Sequence, residues 1–268
     1  MRTIASLTDV VDVDRHPITD AAYQAACRAQ FEADGVIALA GFIRPTARAE
    51  LADEAAATRS LAYFSQQDHS VYLDAPDSSF PSDDARSHAI VSTKGAVTAD
   101  QLPATSHLRT VYNSQEFRSF LCAVLSEDKL HEYADPLSSI NLNFYEQGQE
   151  LGWHFDNSEF AVTLLVQDPD AGGTFEYING MRDTANDDNN ETGVAAVLKQ
   201  NGQGPESKAN ALAVDAGTLV LFRGRDALHR VTPVQGDTTR VLVVFAYNTK
   251  PGLSLSESAR MTFFGRLD

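Results

Sequence analysis

His154 and Asp156 lie two residues apart in a segment that alternates as a β-strand does. Alternate side chains of a strand point to the same side, so this imidazole and this carboxylate can reach one metal ion. Alone, the pair is weak, because roughly one His-x-Asp or His-x-Glu pair is expected by chance at this composition. The alternative is a strand histidine that is hydrogen-bonded to a neighbouring carboxylate.

Two later residues strengthen the metal interpretation. His229 precedes another strand-like run, "HRVTPV", and could supply a third ligand. Arg240 begins "RVLVVFAYN", and if its face is interior, the buried guanidinium must have an anionic partner. A protein carboxylate could serve, and so could a small dicarboxylate held by two hydrogen bonds. Two histidines and one carboxylate leave open positions on an iron ion, which together with the arginine would suit a keto acid.

The elements that position these residues change in character along the chain. Apolar spacing predicts helices within residues 18–35, 44–64 and 106–126, with a loop from Ser65 to about Lys94. After Pro136, seven or eight short strand-like runs separated by turns predict a sandwich or jelly roll, interrupted by one helical insert, "NNETGVAAVLKQNG". We therefore expect an α+β fold in one composite domain, mainly helical in residues 1–135, with the strands in 136–250 and a helical segment in 251–268.

Charge and cysteine content restrict the partners and the compartment. The 268 residues have a formal net charge of -16, which repels phosphate backbones and anionic membranes. The two cysteines show no metal-type spacing, and we expect both to be small buried residues rather than a disulfide. No signal peptide and no window of about 18 apolar residues is evident. The sequence predicts a cytoplasmic protein, and it leaves the oligomeric state open, with a homodimer as one option.

The pattern resembles the iron(II)/2-oxoglutarate-dependent dioxygenases. Those enzymes have His-x-Asp, a distant His and an Arg about ten residues later, which here are His154, Asp156, His229 and Arg240. Many of them also carry Asn-x-Tyr-x-x-Gly-x-x-Leu-x-x-His-x-Asp, and the matching residues of this chain are Asn143, Tyr145, Gly148, Leu151, His154 and Asp156. The texture around the motif is similar to the branch that acts on free amino acids, which contains hydroxylases, radical halogenases and aziridine-forming oxidases.

The resemblance implies a double-stranded β-helix, or jelly-roll, core with an N-terminal helical layer. His154, Asp156 and His229 would bind Fe(II), while Arg240 would hold the distal carboxylate of 2-oxoglutarate with help from Asn143 and Tyr145. It also implies an oxygenase that consumes O2 and 2-oxoglutarate. Because halogenases of this branch have Gly in place of the carboxylate ligand, Asp156 favours hydroxylation.

The substrate must be recognised by residues outside the motif. We expect a small molecule, an amino acid or derivative, and we name as candidate substrate-binding residues Asn157, Arg86, Asn248 and Trp153. A solvated surface charge is the alternative interpretation of Arg86. A nucleotide, nucleic-acid or peptidyl substrate remains an alternative, as does cyclisation or desaturation in place of hydroxylation. A non-catalytic jelly-roll binding module would not require the intact triad and Arg240.

Overall fold

The structure, a computed structural model, describes residues 4–204 and 208–268. These residues contain seven α-helices: α1 (Leu7–Val10), α2 (Ala21–Asp34), α3 (Pro45–Thr58), α4 (His107–Asn113), α5 (Gln115–Leu125), α6 (Glu191–Lys199) and α7 (Glu257–Phe264). Short 3-10 helices span Arg59–Leu61 and Ala99–Gln101. No helix in this part of the chain has the length and apolarity needed to cross a membrane.

The strands of the described residues are β1 (Val36–Leu39), β2 (Tyr63–His69), β3 (Ile90–Val97), β4 (His131–Glu132), β5 (Ile140–Tyr145), β6 (Leu151–His154), β7 (Ala161–Gln167), β8 (Ala171–Gly172), β9 (Phe175–Ile178), β10 (Asn210–Leu212), β11 (Leu219–Phe222), β12 (Leu228–Val231), β13 (Val234–Gln235), β14 (Arg240–Phe245) and β15 (Tyr247–Asn248). Eleven of them form one antiparallel sheet in the order β1-β11-β7-β14-β5-β3-β6-β12-β9-β10, with β2 paired to β3.

The sheet curls at β3, which pairs with both β5 and β6. In sheet order, the first half consists of β1, β11, β7, β14 and β5, and the second half consists of β6, β12, β9 and β10. The two halves therefore face each other, and side chains of both line a common cavity. This arrangement confirms the predicted α+β fold with a jelly-roll core.

The helical layer covers the outer face of the first half. Phe117, Leu121 and Val124 of α5 are fully buried in one cluster with Leu142 and Phe144 of β5. Each such side chain contributes about 1.5–3 kcal/mol by burial. A slip of β5 by one residue would exchange its two faces. The helix-side core therefore holds β5 in the register that turns its other face towards the cavity.

The predicted helices occur with one change. A single helical run was expected around residues 106–126, but Ser114 is extended (φ −67°, ψ 128°) and divides it into α4 and α5. The hydroxyl of Ser114 accepts a hydrogen bond from the backbone N–H of Phe117 and so caps the second helix. The predicted insert helix and C-terminal helical segment are α6 and α7.

The predicted loop from Ser65 to about Lys94 is wrong at both ends, because β2 and β3 occupy them. Together with β1, these strands extend the sheet into the N-terminal region, so the sheet is not confined to residues 136–250. The physical reason is visible in β2, "YFSQQDH", in which Ser65, Gln67 and His69 line the cavity and are polar. Such a strand lacks the apolar alternation by which strands are recognised.

Candidate active site

The cavity between the two halves of the sheet has a volume of about 260 Å³. Small-molecule pockets are typically roughly 300–1,000 Å³, so this is a compact ligand site. Its polar lining comes largely from β2, β3 and β5, and most of the remainder is apolar. The three sequence-predicted metal ligands also lie on its wall.

His154 ends β6, and His229 lies directly opposite it on β12. Asp156 follows β6 and places its Oδ1 atom 3.6 Å from Nε2 of each histidine. One ligand atom from each of the three residues can be chosen so that all lie within 4.8 Å of one another. The structure thus brings together three groups from separate parts of the sequence in the arrangement of a two-histidine, one-carboxylate metal site.

Backbone carbonyls orient both imidazoles. Nδ1 of His154 lies 2.8 Å from the carbonyl oxygen of Gly152, and Nδ1 of His229 lies 2.9 Å from that of Ala227. A carbonyl can only accept, so each Nδ1 carries the proton and each Nε2 keeps its lone pair. This is the tautomer in which Nε2 can bind a metal.

The electrostatics of the three residues also favour metal binding. Burial raises the pKa of Asp156, but the imidazoles of His229 and His154 outweigh that effect and hold it well below its usual value. Burial, reinforced by His229, lowers the pKa of His154. The carboxylate is therefore charged and His154 is neutral near pH 7, which are the ligand forms that a divalent cation needs.

Arg240 has the surroundings of an anion-binding residue. It is 5% exposed, and one terminal nitrogen of its guanidinium is buried without a hydrogen-bond partner among residues 4–204 and 208–268. Its guanidinium carbon lies 5.3 Å from the ring centre of Tyr145, the residue opposite it on β5. Burial lowers the pKa of Arg240. Because an unpaired buried cation is costly, this group calls for a carboxylate from outside the chain.

Gly173 makes room for that arginine. A Cβ atom at this position would lie 2.8 Å from Cδ of Arg240, and the backbone of Gly173 has φ +60°, which side chains rarely adopt. Asn143 and Tyr145 also face the cavity, and the buried amide oxygen of Asn143 has no hydrogen-bond partner in the part of the chain that the structure describes. The residues present therefore fit both an iron ion, through the His-His-Asp donors, and a dicarboxylate, through the unpaired guanidinium.

The family model described as Halogenase D matches residues 19–262, which is most of the chain. The chain belongs to the halogenase D family. No curated protein is significantly similar to it in sequence.

Solved structures show how this halogenase D family member folds. One similar structure is an oxidoreductase of the 2OG-Fe(II) oxygenase family from Burkholderia pseudomallei, at 15% identity and TM-score 0.54, covering 86% of this chain and 93% of that one. Another is the epimerase SnoN with Fe3+, alpha ketoglutarate and nogalamycin RO, at 12% identity and TM-score 0.56, covering 85% and 84%. A prolyl-4-hydroxylase from Pseudomonas putida matches at 12% identity and TM-score 0.50, covering 82% and 96%. Family and fold together confirm the predicted Fe(II)/2-oxoglutarate oxygenase superfamily.

This member of the halogenase D family holds its metal-site aspartate closely. The N–H of Asp156 donates to the carbonyl of Gly224 at 3.1 Å, and its own carbonyl accepts from Arg182 at 3.2 Å. The carboxylate lies against Cα of Gly224, so that a Cβ atom there would overlap it. Gly224 was not identified from the sequence, since its role depends on a contact between two distant segments.

Gly224→Ala is expected to weaken metal binding by roughly 10- to 100-fold, the usual scale for disturbing a ligand's support. The methyl group must displace the Asp156 carboxylate, while the backbone conformation of Gly224 itself is not left-handed. Titration with Fe(II) under anaerobic conditions measures the effect. Ala25→Ser is the control, because it adds one atom at an exposed position of α2. Equal metal affinity in both variants would refute the role of Gly224.

Five polar cavity residues on β2 and β3 of this halogenase D family member were not recognised as site residues in the sequence. His69 is 5% exposed, and it lies on the cavity wall with Ser92 and Lys94. Ser65, Gln67 and His69 alternate on β2, and Ser92 and Lys94 alternate on β3. This alternation could have indicated two strands in the sequence, but the residues that alternate are polar, whereas strands are usually recognised by alternating apolar residues.

His69 and Ser92 connect the polar wall to the metal site. Nδ1 of His69 lies 2.7 Å from the carbonyl of Ser70, so Nε2 accepts the hydroxyl proton of Ser92, also at 2.7 Å. The hydroxyl oxygen in turn accepts from the N–H of Gly152 at 3.0 Å, and the carbonyl of Gly152 orients His154. The network is satisfied without a ligand, which indicates that it supports the position of His154.

The four residues predicted to bind substrate do not line the cavity. Trp153 points to the opposite side of β6 from His154 and packs beneath the guanidinium of Arg230, 4.6 Å away. Arg86 pairs with Asp84 on the surface. Asn157 is exposed, and Asn248 belongs to β15, outside the main sheet. Trp153 is on the other face of β6 and none of the four lines this cavity, so a part in substrate binding stays a prediction for them.

Proposed function

We propose that this chain is an Fe(II)- and 2-oxoglutarate-dependent oxygenase that hydroxylates an unactivated C–H bond of a small molecule, a free amino acid or an amino-acid derivative. The observation that carries the proposal is Asp156, whose carboxylate completes the metal-binding group with His154 and His229. The halogenases that the sequence resembles have Gly at that position, which frees a coordination site for halide. Here Asp156 would be a metal ligand, so the product that we expect is hydroxylated and not halogenated.

Each residue of the site has a defined task in this proposal. His154, Asp156 and His229 hold the iron, and Arg240 binds the distal carboxylate of 2-oxoglutarate beside Tyr145 and Asn143. When bound, iron, 2-oxoglutarate and O2 together supply the oxidising power, with succinate and carbon dioxide as products of the co-substrate. The protein fixes the ligand geometry and positions the substrate bond, and the apolar part of the cavity excludes water from it.

A small substrate is favoured over a polymer. The cavity of about 260 Å³ is compact. The net charge of -16 opposes binding of nucleic acid. A peptidyl substrate is the competing candidate, since one solved structure of this fold is a prolyl-4-hydroxylase. Cyclisation or desaturation begins with removal of the same hydrogen and differs only afterwards. The two isolated cysteines support a cytoplasmic location.

One assay distinguishes these outcomes. The enzyme is supplied with Fe(II), 2-oxoglutarate and oxygen, and succinate release is measured across the free amino acids, prolyl peptides and nucleotides in buffer containing chloride. We expect release to be stimulated by at least one amino acid, and the product to gain one oxygen atom derived from labelled O2. A chlorinated product would refute hydroxylation. Stimulation by peptides or nucleotides alone would refute the substrate class.

A further inference from the structure

Among the described residues, two lysine or arginine side chains line the cavity: Arg240 and Lys94. Lys94 lies on β3 and is half-buried, and its side chain lines the cavity. Within the described part of the chain, its ammonium makes no hydrogen bond and no ion pair. The proposed function leaves this cation unexplained.

The surroundings of Lys94 do not neutralise its charge. Its Nζ atom lies 5.8 Å from the ring centre of Phe263 on α7, near the outer limit of a cation–π contact. Burial lowers its pKa to about 8, and the carboxylate of Asp156 opposes that shift only in part. At pH 7 the ammonium group of Lys94 is therefore mostly protonated, although burial disfavours its positive charge. A cation in such a position is suited to a ligand that brings a carboxylate.

The co-substrate does not provide a free carboxylate for Lys94. If the proposed function is correct, Arg240 would hold one carboxylate of 2-oxoglutarate and the metal site would hold the other. Asp156 is a metal ligand. All the negative groups of the loaded site are then assigned, and Lys94 remains without an anion. The primary substrate is the remaining molecule of the loaded site that could bring a carboxylate.

The position of Lys94 suits that role. The next residue, Gly95, pairs with Phe144 of β5, while Ser92 pairs with Leu151 of β6. Lys94 therefore lies at the point on β3 where the neighbouring strand changes from β6, which carries His154, to β5, which carries Tyr145. A carboxylate held there would place the remainder of the molecule near the metal site.

The cavity also has an apolar part that could contact such a molecule. Thr163 of β7, Val220 of β11 and Val244 of β14 line it from the first half of the sheet. These three residues present methyl groups to the cavity. The polar residues Ser65 and Gln67 of β2 line the cavity near Lys94, and Ser65 is the residue paired with Lys94 across the two strands. A ligand with one anionic end and an aliphatic body would match both surfaces.

We propose that Lys94 is a specificity-determining residue that binds the carboxylate of the primary substrate, as a counterpart to Arg240, which binds that of 2-oxoglutarate. The proposal rests on the proposed function. It deepens that function by requiring a free carboxylate on the substrate, so that an amino acid within a peptide chain, or one converted to its amide, is a poor ligand.

The test compares wild-type enzyme with Lys94→Met, which keeps the aliphatic stem but removes the charge, and with Lys94→Arg, which retains a charge. Lys129→Met, at an exposed lysine, is the matched control. The probes are the free amino acids and their carboxamides, added anaerobically to protein loaded with Ni(II) and 2-oxoglutarate. Binding is measured by calorimetry, and 2-oxoglutarate affinity is measured separately.

We expect wild-type protein and the Lys129 variant to bind at least one amino acid and to reject its amide by roughly 30-fold or more, the scale of one charged hydrogen bond. Lys94→Met should lose this preference for the free amino acid, while its affinity for 2-oxoglutarate should change less than about twofold. Lys94→Arg should recover part of the preference. Lys94→Met should also melt at a higher temperature, because the disfavoured charge is gone.

Three results would overturn the proposal: no preference for carboxylate over amide in the wild type, an unchanged preference in Lys94→Met, or a loss confined to 2-oxoglutarate. These outcomes differ from failure of the proposed function, which would appear as absent metal binding or absent 2-oxoglutarate turnover in the wild-type enzyme.

Discussion

His229→Gln is expected to abolish turnover, lowering it by roughly 10³-fold or more, since a catalytic metal supplies several kcal/mol of barrier reduction. Nε2 of His229 lies 3.6 Å from the Asp156 carboxylate and directly opposite His154, so two ligands remain without it. Glutamine is preferred to alanine because the imidazole is buried against the rings of Phe222 and Phe175. A cavity at that place would itself destabilise the protein.

The measurement is anaerobic titration with Fe(II) in the presence of 2-oxoglutarate, which should give a visible charge-transfer band in the wild type. The band should be absent from His229→Gln and from His154→Gln. His131→Gln is the control, because His131 lies on β4, outside the main sheet. Persistence of the band in both site variants would show that the metal is bound elsewhere.

Arg240→Met is expected to weaken 2-oxoglutarate binding by roughly 10²- to 10³-fold. Removing one partner of a buried ion pair costs about 3–5 kcal/mol, and each 1.4 kcal/mol is about tenfold in affinity. Iron binding should be retained, because the three metal ligands are on other strands or loops. The free protein should be as stable as wild type or more so, since the variant removes a buried guanidinium nitrogen that has no hydrogen-bond partner among the described residues.

Arg48→Met provides the matched control, as it removes an exposed arginine from α3. Arg240→Lys adds a second comparison: it keeps the charge but not the two-pronged geometry, so it should recover only part of the affinity. Binding is measured by titrating 2-oxoglutarate into the Fe(II)-loaded protein. If Arg240→Met binds 2-oxoglutarate as wild type does, the anion of Arg240 is another molecule.

The sequence was informative wherever a side chain's direction follows from its own strand. The alternation of β5 separates Leu142 and Phe144, which pack against the helices, from Asn143 and Tyr145, which face the cavity. The same rule places His154 opposite in direction to Trp153. Burial of the apolar face determines which side points inward, so these assignments need only local residues and one core.

A strand was harder to predict from the sequence where neither of its faces showed the usual alternation of buried apolar and exposed polar residues. In β2, exposed Tyr63 and Phe64 adjoin polar residues that face a cavity. Because a ligand site replaces apolar packing on its inner side, the signal for a buried strand is lost where the site is built. The same reason hid Lys94 and His69 from the sequence analysis.

The sequence by itself determined the order and spacing of His154, Asp156, His229 and Arg240, and thereby the superfamily. Tertiary structure decided which other residues share their cavity. It brought Lys94 and Gly224 to the site and left Arg86 and Asn157 outside it. Spacing within a strand is a local property of the backbone, whereas neighbours across a curled sheet depend on pairings between distant segments. Those pairings are set by how the whole core packs, and no short motif encodes them.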